Sequence, residues 1–125
     1  MKFQIITNNP LVYEELKNEY EMLYLDITYK QILFKVRDMC HLGHKLLSHP
    51  LSGSVKPNET PYKSVMVSLK KEKIDIESIA IIENCIASCD KFEDLGKHWS
   101  EKVLDDFRLI DYTLISSGIA SAMVV

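Results

Sequence analysis

Residues Leu47–Leu69 read LSHPLSGSVKPNETPYKSVMVSL, and the direction in which the chain leaves this stretch decides the fold. Its first eighteen residues, to Ser64, carry three of the chain's four prolines, four serines and a glycine. Such a composition favours neither helix nor strand. Structureless connections longer than roughly 12–15 residues in compact domains are usually functional or disordered. Pro50, Pro57 and Pro61 each fix a backbone angle, and with Tyr62 as an anchor they favour a rigid loop. From Lys63 to Leu69 the chain turns apolar and β-branched (KSVMVSL), the pattern of a short strand.

Upstream, Lys2–Thr7 (KFQIIT) reads as a buried strand, and Asn8-Asn9-Pro10 stops it. Asn9 is placed to cap a helix that starts at Pro10, where a missing amide hydrogen costs nothing, and runs to about Tyr20. Met22–Ile27 (MLYLDI) is a second strand. Thr28 opens a second helix with Tyr29, Ile32, Leu33, Val36, Met39 and Cys40 on one face, and Gly43 ends it. His44–Ser48 (HKLLS) reads as a third strand and Lys63–Leu69 as a fourth. After the charged turn Lys70–Lys73, Asp75 caps a helix with Ile76, Ile79, Ile82, Ile86 and Cys89 as its stripe, reaching Phe92. The last helix starts near Ser100, with Val103, Leu104, Phe107, Ile110, Leu114 and Ile115 as its apolar positions. This order predicts one α/β domain over residues 1–125: a small, open, four-stranded, mostly parallel sheet with helices on its faces, Rossmann-like in two or three layers. For the fourth strand, an antiparallel pairing through the long loop is equally open.

Bulk properties narrow the function. Apolar residues make up 46% and charged residues 26%, a globular balance that argues against disorder. A formal charge of −3 argues against a general nucleic-acid binder. No apolar N-terminal stretch follows a basic region, and the apolar end Leu114–Val125 is too short to span a bilayer, so neither a signal peptide nor a membrane role is expected. Three cysteines, Cys40, Cys85 and Cys89, fit a reducing cytoplasm. Cys85 and Cys89 share a helix face, but without a matching pair of ligands nearby they read as small buried side chains; no metal or cofactor is expected.

In a parallel sheet, ligands collect beyond the carboxyl ends of the strands. Three polar segments should meet there: Thr7-Asn8-Asn9, Asp26–Thr28 and the loop after Ser48. Asn8, Asn9, Thr28, His49, Ser52, Gly53, Ser54, Lys56 and Asn58 are the expected ligand-binding residues. Ser52-Gly53-Ser54 can present successive amides to an anion, with Lys56 supplying charge. The same letters suit a plain turn-rich loop, and neither a Walker loop nor a GxGxxG motif occurs. His49 is the one candidate general base, with Ser52 or Ser54 as nucleophile and Glu59 or Asp26 as orienting acid, although a histidine before proline is more often a loop hydrogen-bonder. His41 and His44 flank Gly43 and read as helix-end residues. Trp99 reads as a packing anchor. Gly118, Ala120, Ser121 and Ala122 near the end of the last helix allow close approach, either within the monomer core or in a homodimer.

Two of these segments together, ITNNP ending at Pro10 and HPLSGSVKPNETPYKS at 49–64, resemble the GrdX family. These are small proteins encoded beside the glycine, sarcosine and betaine reductase components of amino-acid-fermenting anaerobes. The resemblance implies an anaerobic cytoplasm and an accessory role near a selenoprotein-dependent reductase that makes acetyl phosphate; it assigns no catalytic residue. Three functions follow in order of expectation. The first is an accessory or regulatory protein that binds a small anion, the second an interaction module docking on a reductase component, and the third a small hydrolase or transferase using His49.

Overall fold

The computed structural model describes residues 2–51, 60–90 and 99–123. Strand β1 (Phe3–Thr7) is central, with β2 (Glu21–Tyr24) parallel on one side and β3 (Ser64–Ser68) antiparallel on the other, in the order β2-β1-β3. Helices α1 (Pro10–Leu16), α2 (Tyr29–His41), α3 (Ile76–Asp90) and α4 (Glu101–Met123) complete the chain.

Strand alternation divides the core. Ile6, Val65 and Val67 point to the face covered by α2 and α3, where they meet Ile32, Leu33, Val36, Ile82 and Ile86. Ile5 and Met66 point to the opposite face and pack against Val12 and Leu16 of α1 and Ile115 and Ile119 of α4. The result is a three-layer α/β/α sandwich. The helix starts follow the sequence. The Asn9 side chain accepts from Leu11 N with Pro10 in the first turn, and Thr28 and Gln31 form a reciprocal capping box at α2. At the far end of α2, Gly43 N donates to Cys40 O and His44 N to Met39 O, a Schellman closure that puts Gly43 at a φ of 107°.

The sheet corrects the expected architecture. It has three strands of mixed direction among the described residues, not four mostly parallel ones. The segment His44–Ser48 lies antiparallel beside β3 but pairs through a single bridge, Leu46 with Val67. Serine hydroxyls take places that ladder amides and carbonyls would otherwise fill. Lys45 N donates to Ser68 Oγ, Leu46 N to Ser78 Oγ, and Met66 N to Ser48 Oγ. The reversal of β3 has a simple cause. The chain leaves Ser48 and returns at Ser64 on the same sheet edge, whereas a parallel strand would require a crossover along the whole sheet. The α3 stripe holds at Ile79, Ile82, Ile86 and Cys89, with Ser78 and Cys85 buried beside it, and only Ile76 departs, at 80% exposed. The α4 stripe is rotated from expectation: Val103 (37%) and Ile110 (42%) are exposed, while Asp111, Ile115 and Ile119 are buried.

The α2 terminus generates a prediction. A Cβ at position 43 would lie 2.2 Å from Glu72 O, on backbone that L-residues avoid. Gly43→Ala should therefore lower stability in urea denaturation by more than the about 1–2 kcal/mol of a left-handed residue alone, because the turn carrying Glu72 must also shift.

Candidate functional site

At the edge where β1 and β2 end and β3 begins, four elements converge on one carboxylate. Asp111 of α4 is only 5% exposed. Its Oδ2 accepts from Ser64 Oγ at 2.7 Å and from Asn9 Nδ2 at 3.0 Å. Because Ser64 donates to Asp111, its oxygen is left to accept from the Thr7 hydroxyl 2.7 Å away. Thr7 Oγ1 in turn accepts from Asn9 N at 2.9 Å. All donors thus point one way, from Asn9 N through Thr7 and Ser64 to the carboxylate, an arrangement in which each bond polarises the next. The second hydrogen on Asn9 Nδ2 reaches Arg108 O at 2.9 Å.

Asn8 braces the neighbouring turn. Its Nδ2 donates to Ile27 O and Pro61 O, each at 2.8 Å, and its Oδ1 accepts from Lys63 N at 2.8 Å. This fixes the base of the long loop and places Lys63, 7% exposed, inside the edge. Tyr62 OH accepts from Arg108 Nε at 2.9 Å, and the guanidinium lies 5.4 Å from the Tyr62 ring centre. Arg108 also pairs with Asp105.

Between these groups lies a cavity of about 20 Å³, lined by Lys63, Asp111, Tyr29, Tyr62 and Thr60 with Leu51 and α4 apolar side chains. That volume admits one water-sized group. Among the described residues, none accepts a hydrogen bond from Lys63 Nζ and none forms an ion pair with it. Burial pushes the Asp111 carboxyl up from its ordinary value, opposed by the Ser64 and Asn9 hydrogen bonds and by Lys63. Burial likewise pushes the Lys63 ammonium down, opposed by Asp111. Lys63 and Asp111 therefore share a buried edge without closing into an ion pair. Burial also raises the Tyr29 phenol strongly and the Cys85 thiol to about 11, so neither is ionised at neutral pH.

The sequence-derived residues fall into three groups. The Asn8 and Asn9 amides are committed to internal hydrogen bonds, and Thr28 is exposed and spent on its capping box. His49 is exposed, and its Nδ1 accepts from Leu51 N at 3.1 Å, a local turn contact. Ser52, Gly53, Ser54, Lys56 and Asn58 lie outside the described residues, as does Glu59. Lys63, Asp111 and Arg108 were not anticipated, and Tyr62 was expected only as a loop anchor. One signal existed for two of them: Arg108, Asp111, Ile115 and Ile119 follow helical spacing, so a stripe drawn through Ile115 and Ile119 passes through both. Cys40, Cys85 and Cys89 are buried thiols outside any disulfide, and no potential metal cluster occurs among the described residues. Trp99 packs edge-to-face on Phe107 at 5.8 Å. No helix among the described residues is long and apolar enough to cross a membrane.

Asp111→Ala should cost about 1–3 kcal/mol per stranded donor, because it leaves the buried Asn9 Nδ2 and Ser64 Oγ groups without their acceptor. Asp111→Asn separates charge from shape. A carboxyl raised in the folded state binds its proton earlier than the unfolded chain does. Wild-type stability relative to Asp111→Asn should therefore rise as pH falls from the raised value toward the ordinary 3.8. Urea denaturation of both proteins between about pH 7 and about pH 4 reads this directly; a falling difference would mean that the hydrogen bonds outweigh burial.

No curated protein matches the chain. No solved structure matches it either. A family model described as GrdX-like protein matches residues 4–120, nearly the whole chain, including both polar segments that build the strand-end edge. The chain belongs to the GrdX-like protein family.

Proposed function

We propose that this protein is a non-catalytic accessory or regulatory component of glycine, sarcosine and betaine reductase systems that binds a small anion at the strand-end edge. The ligand is a carboxylate or phosphate species, such as an acyl phosphate or an amino acid. One observation carries the reading: Lys63, only 7% exposed and without an ion pair among the described residues, lines a water-sized cavity. Burying an ammonium is costly, and the lowered pKa of Lys63 expresses that cost. An anionic oxygen entering the cavity would offset it, and the low dielectric would strengthen the attraction. The Tyr62 and Thr60 hydroxyls line the same cavity and can donate to that oxygen. Lys56 and the amides of Ser52-Gly53-Ser54, from the intervening loop, complete the proposed site. Family membership supports the reductase setting, and Asn8 and Asn9 act by holding Lys63 and Asp111 in register.

A second reading, docking on a reductase component, is favoured by the exposed Leu109 and Ile110 on α4.

A thermal-shift series with phosphate, acetyl phosphate, glycine and betaine tests the first reading. At least one should raise the melting temperature by several degrees through mass action, and Lys63→Met and Lys56→Ala should each abolish the rise. Tyr62→Phe, which keeps the charges, should weaken it. If no anion stabilises the wild type, the anion-binding reading fails. The docking reading then stands on capture of a purified reductase component and its loss in Leu109→Glu.

A further inference from the structure

The opposite end of the sheet carries a second and larger concavity. Here β1 begins and β3 ends, and a cleft of about 530 Å³ is lined by Lys2, Lys45, Ser68, Lys70, Lys73, Ile74 and neighbouring backbone. Four lysines around one cleft contrast with a chain of net charge −3. None of the four makes an ion pair with a described residue. Glu72 and Asp75 are the acids in the lining. Asp75 is already engaged, accepting from Ser78 N and Ser78 Oγ at the start of α3. The lining therefore keeps an excess of two positive charges.

The walls are fixed by backbone rather than by the lysines themselves. Leu69 N donates to Lys2 O at 3.2 Å, Glu72 N to Gly43 O at 2.9 Å, Lys45 N to Ser68 Oγ at 2.7 Å, and Ser68 Oγ to Lys70 O at 3.0 Å. The close approach of Gly43 to Glu72 locks the same corner. The stems of the four lysines thus emerge from set positions, and less order has to be imposed on binding.

We infer that this cleft is a second ligand site, separate from the strand-end edge, for a small organic molecule bearing two phosphate groups. The charge excess offsets part of the roughly −3 to −4 that two phosphate groups carry, and lysines bind phosphate as point charges. The volume lies in the range of small-molecule sites and exceeds what an isolated phosphate fills. Ile74, half exposed at the rim, gives the organic part an apolar surface.

The test is calorimetric titration of the full chain with inorganic pyrophosphate and with adenosine diphosphate, backed by NMR shift mapping. Saturable binding is expected, with shifts at residues 43–45 and 68–75. Lys45→Gln/Lys73→Gln should weaken it at least about tenfold, the loss expected for two charge-assisted contacts. The control Lys35→Gln/Lys102→Gln changes net charge equally on other exposed surfaces and should leave affinity nearly unchanged. Lys63→Met should also retain binding, which separates this site from the strand-end site. An absence of saturable binding by either probe overturns the inference. So does equal weakening by the control pair, which would reveal diffuse charge attraction.

Discussion

The Asp111 carboxylate is the fixed point of the fold's functional end. It is the one acceptor on which β1 through Thr7, β3 through Ser64, the α1 cap through Asn9, and α4 itself all depend. Hydrogen bonds to a charged group are worth about 1.5–3 kcal/mol each, more than neutral ones. Their value here is also geometric. Asn9 cannot cap α1 and reach Asp111 unless α4 lies at one rotation and one height along the sheet. That rotation turns Leu109 and Ile110 outward and Ile115 and Ile119 inward, so a polar contact dictates where the apolar stripe falls.

Buried charge carries a cost that a purely architectural role does not explain well, since apolar side chains of similar size usually stabilise as much or more. Lys63 sharpens the point. It lies within the field of Asp111 without an ion pair to it, and the cavity between them has room for one small polar group. The same edge that locks four elements together thus holds one lysine without an ion pair among the described residues. At the other end of β1 the arrangement is inverted: exposed lysines surround an open cleft whose walls are stitched by backbone. The two ends of one strand therefore offer two kinds of environment, one narrow and enclosed with a lysine beside a carboxylate, the other broad and open with lysines in excess.

Much of the local structure was written in the chain. The Asn9-Pro10 start, the Thr28–Gln31 box and the Gly43 stop are each short-range hydrogen-bonding problems with few solutions, and the structure adopts them where the residues stand. The alternation of Ile5 against Ile6 and of Val65 and Val67 against Met66 likewise predicts a sheet covered on both faces. His44–Ser48 misled because its apolar letters suit a strand, while serines at 48, 68 and 78, far apart in sequence, supply hydroxyls that replace part of the ladder and leave two backbone bonds to β3.

By itself, then, the sequence determined the α/β class, the helix starts and the edge at which the polar segments gather, because those follow from neighbours a few residues apart; it overran the end of α1, expected near Tyr20 and reached at Leu16. Only the tertiary structure decided the direction of β3, the count of strands, and the identity of the residues at the heart of the edge. Asp111 lies about a hundred residues from Asn9, and Lys63 lies more than fifty from Asn8. A buried carboxylate on an amphipathic helix looks like any solvated acid until the partners that desolvate and satisfy it are brought against it.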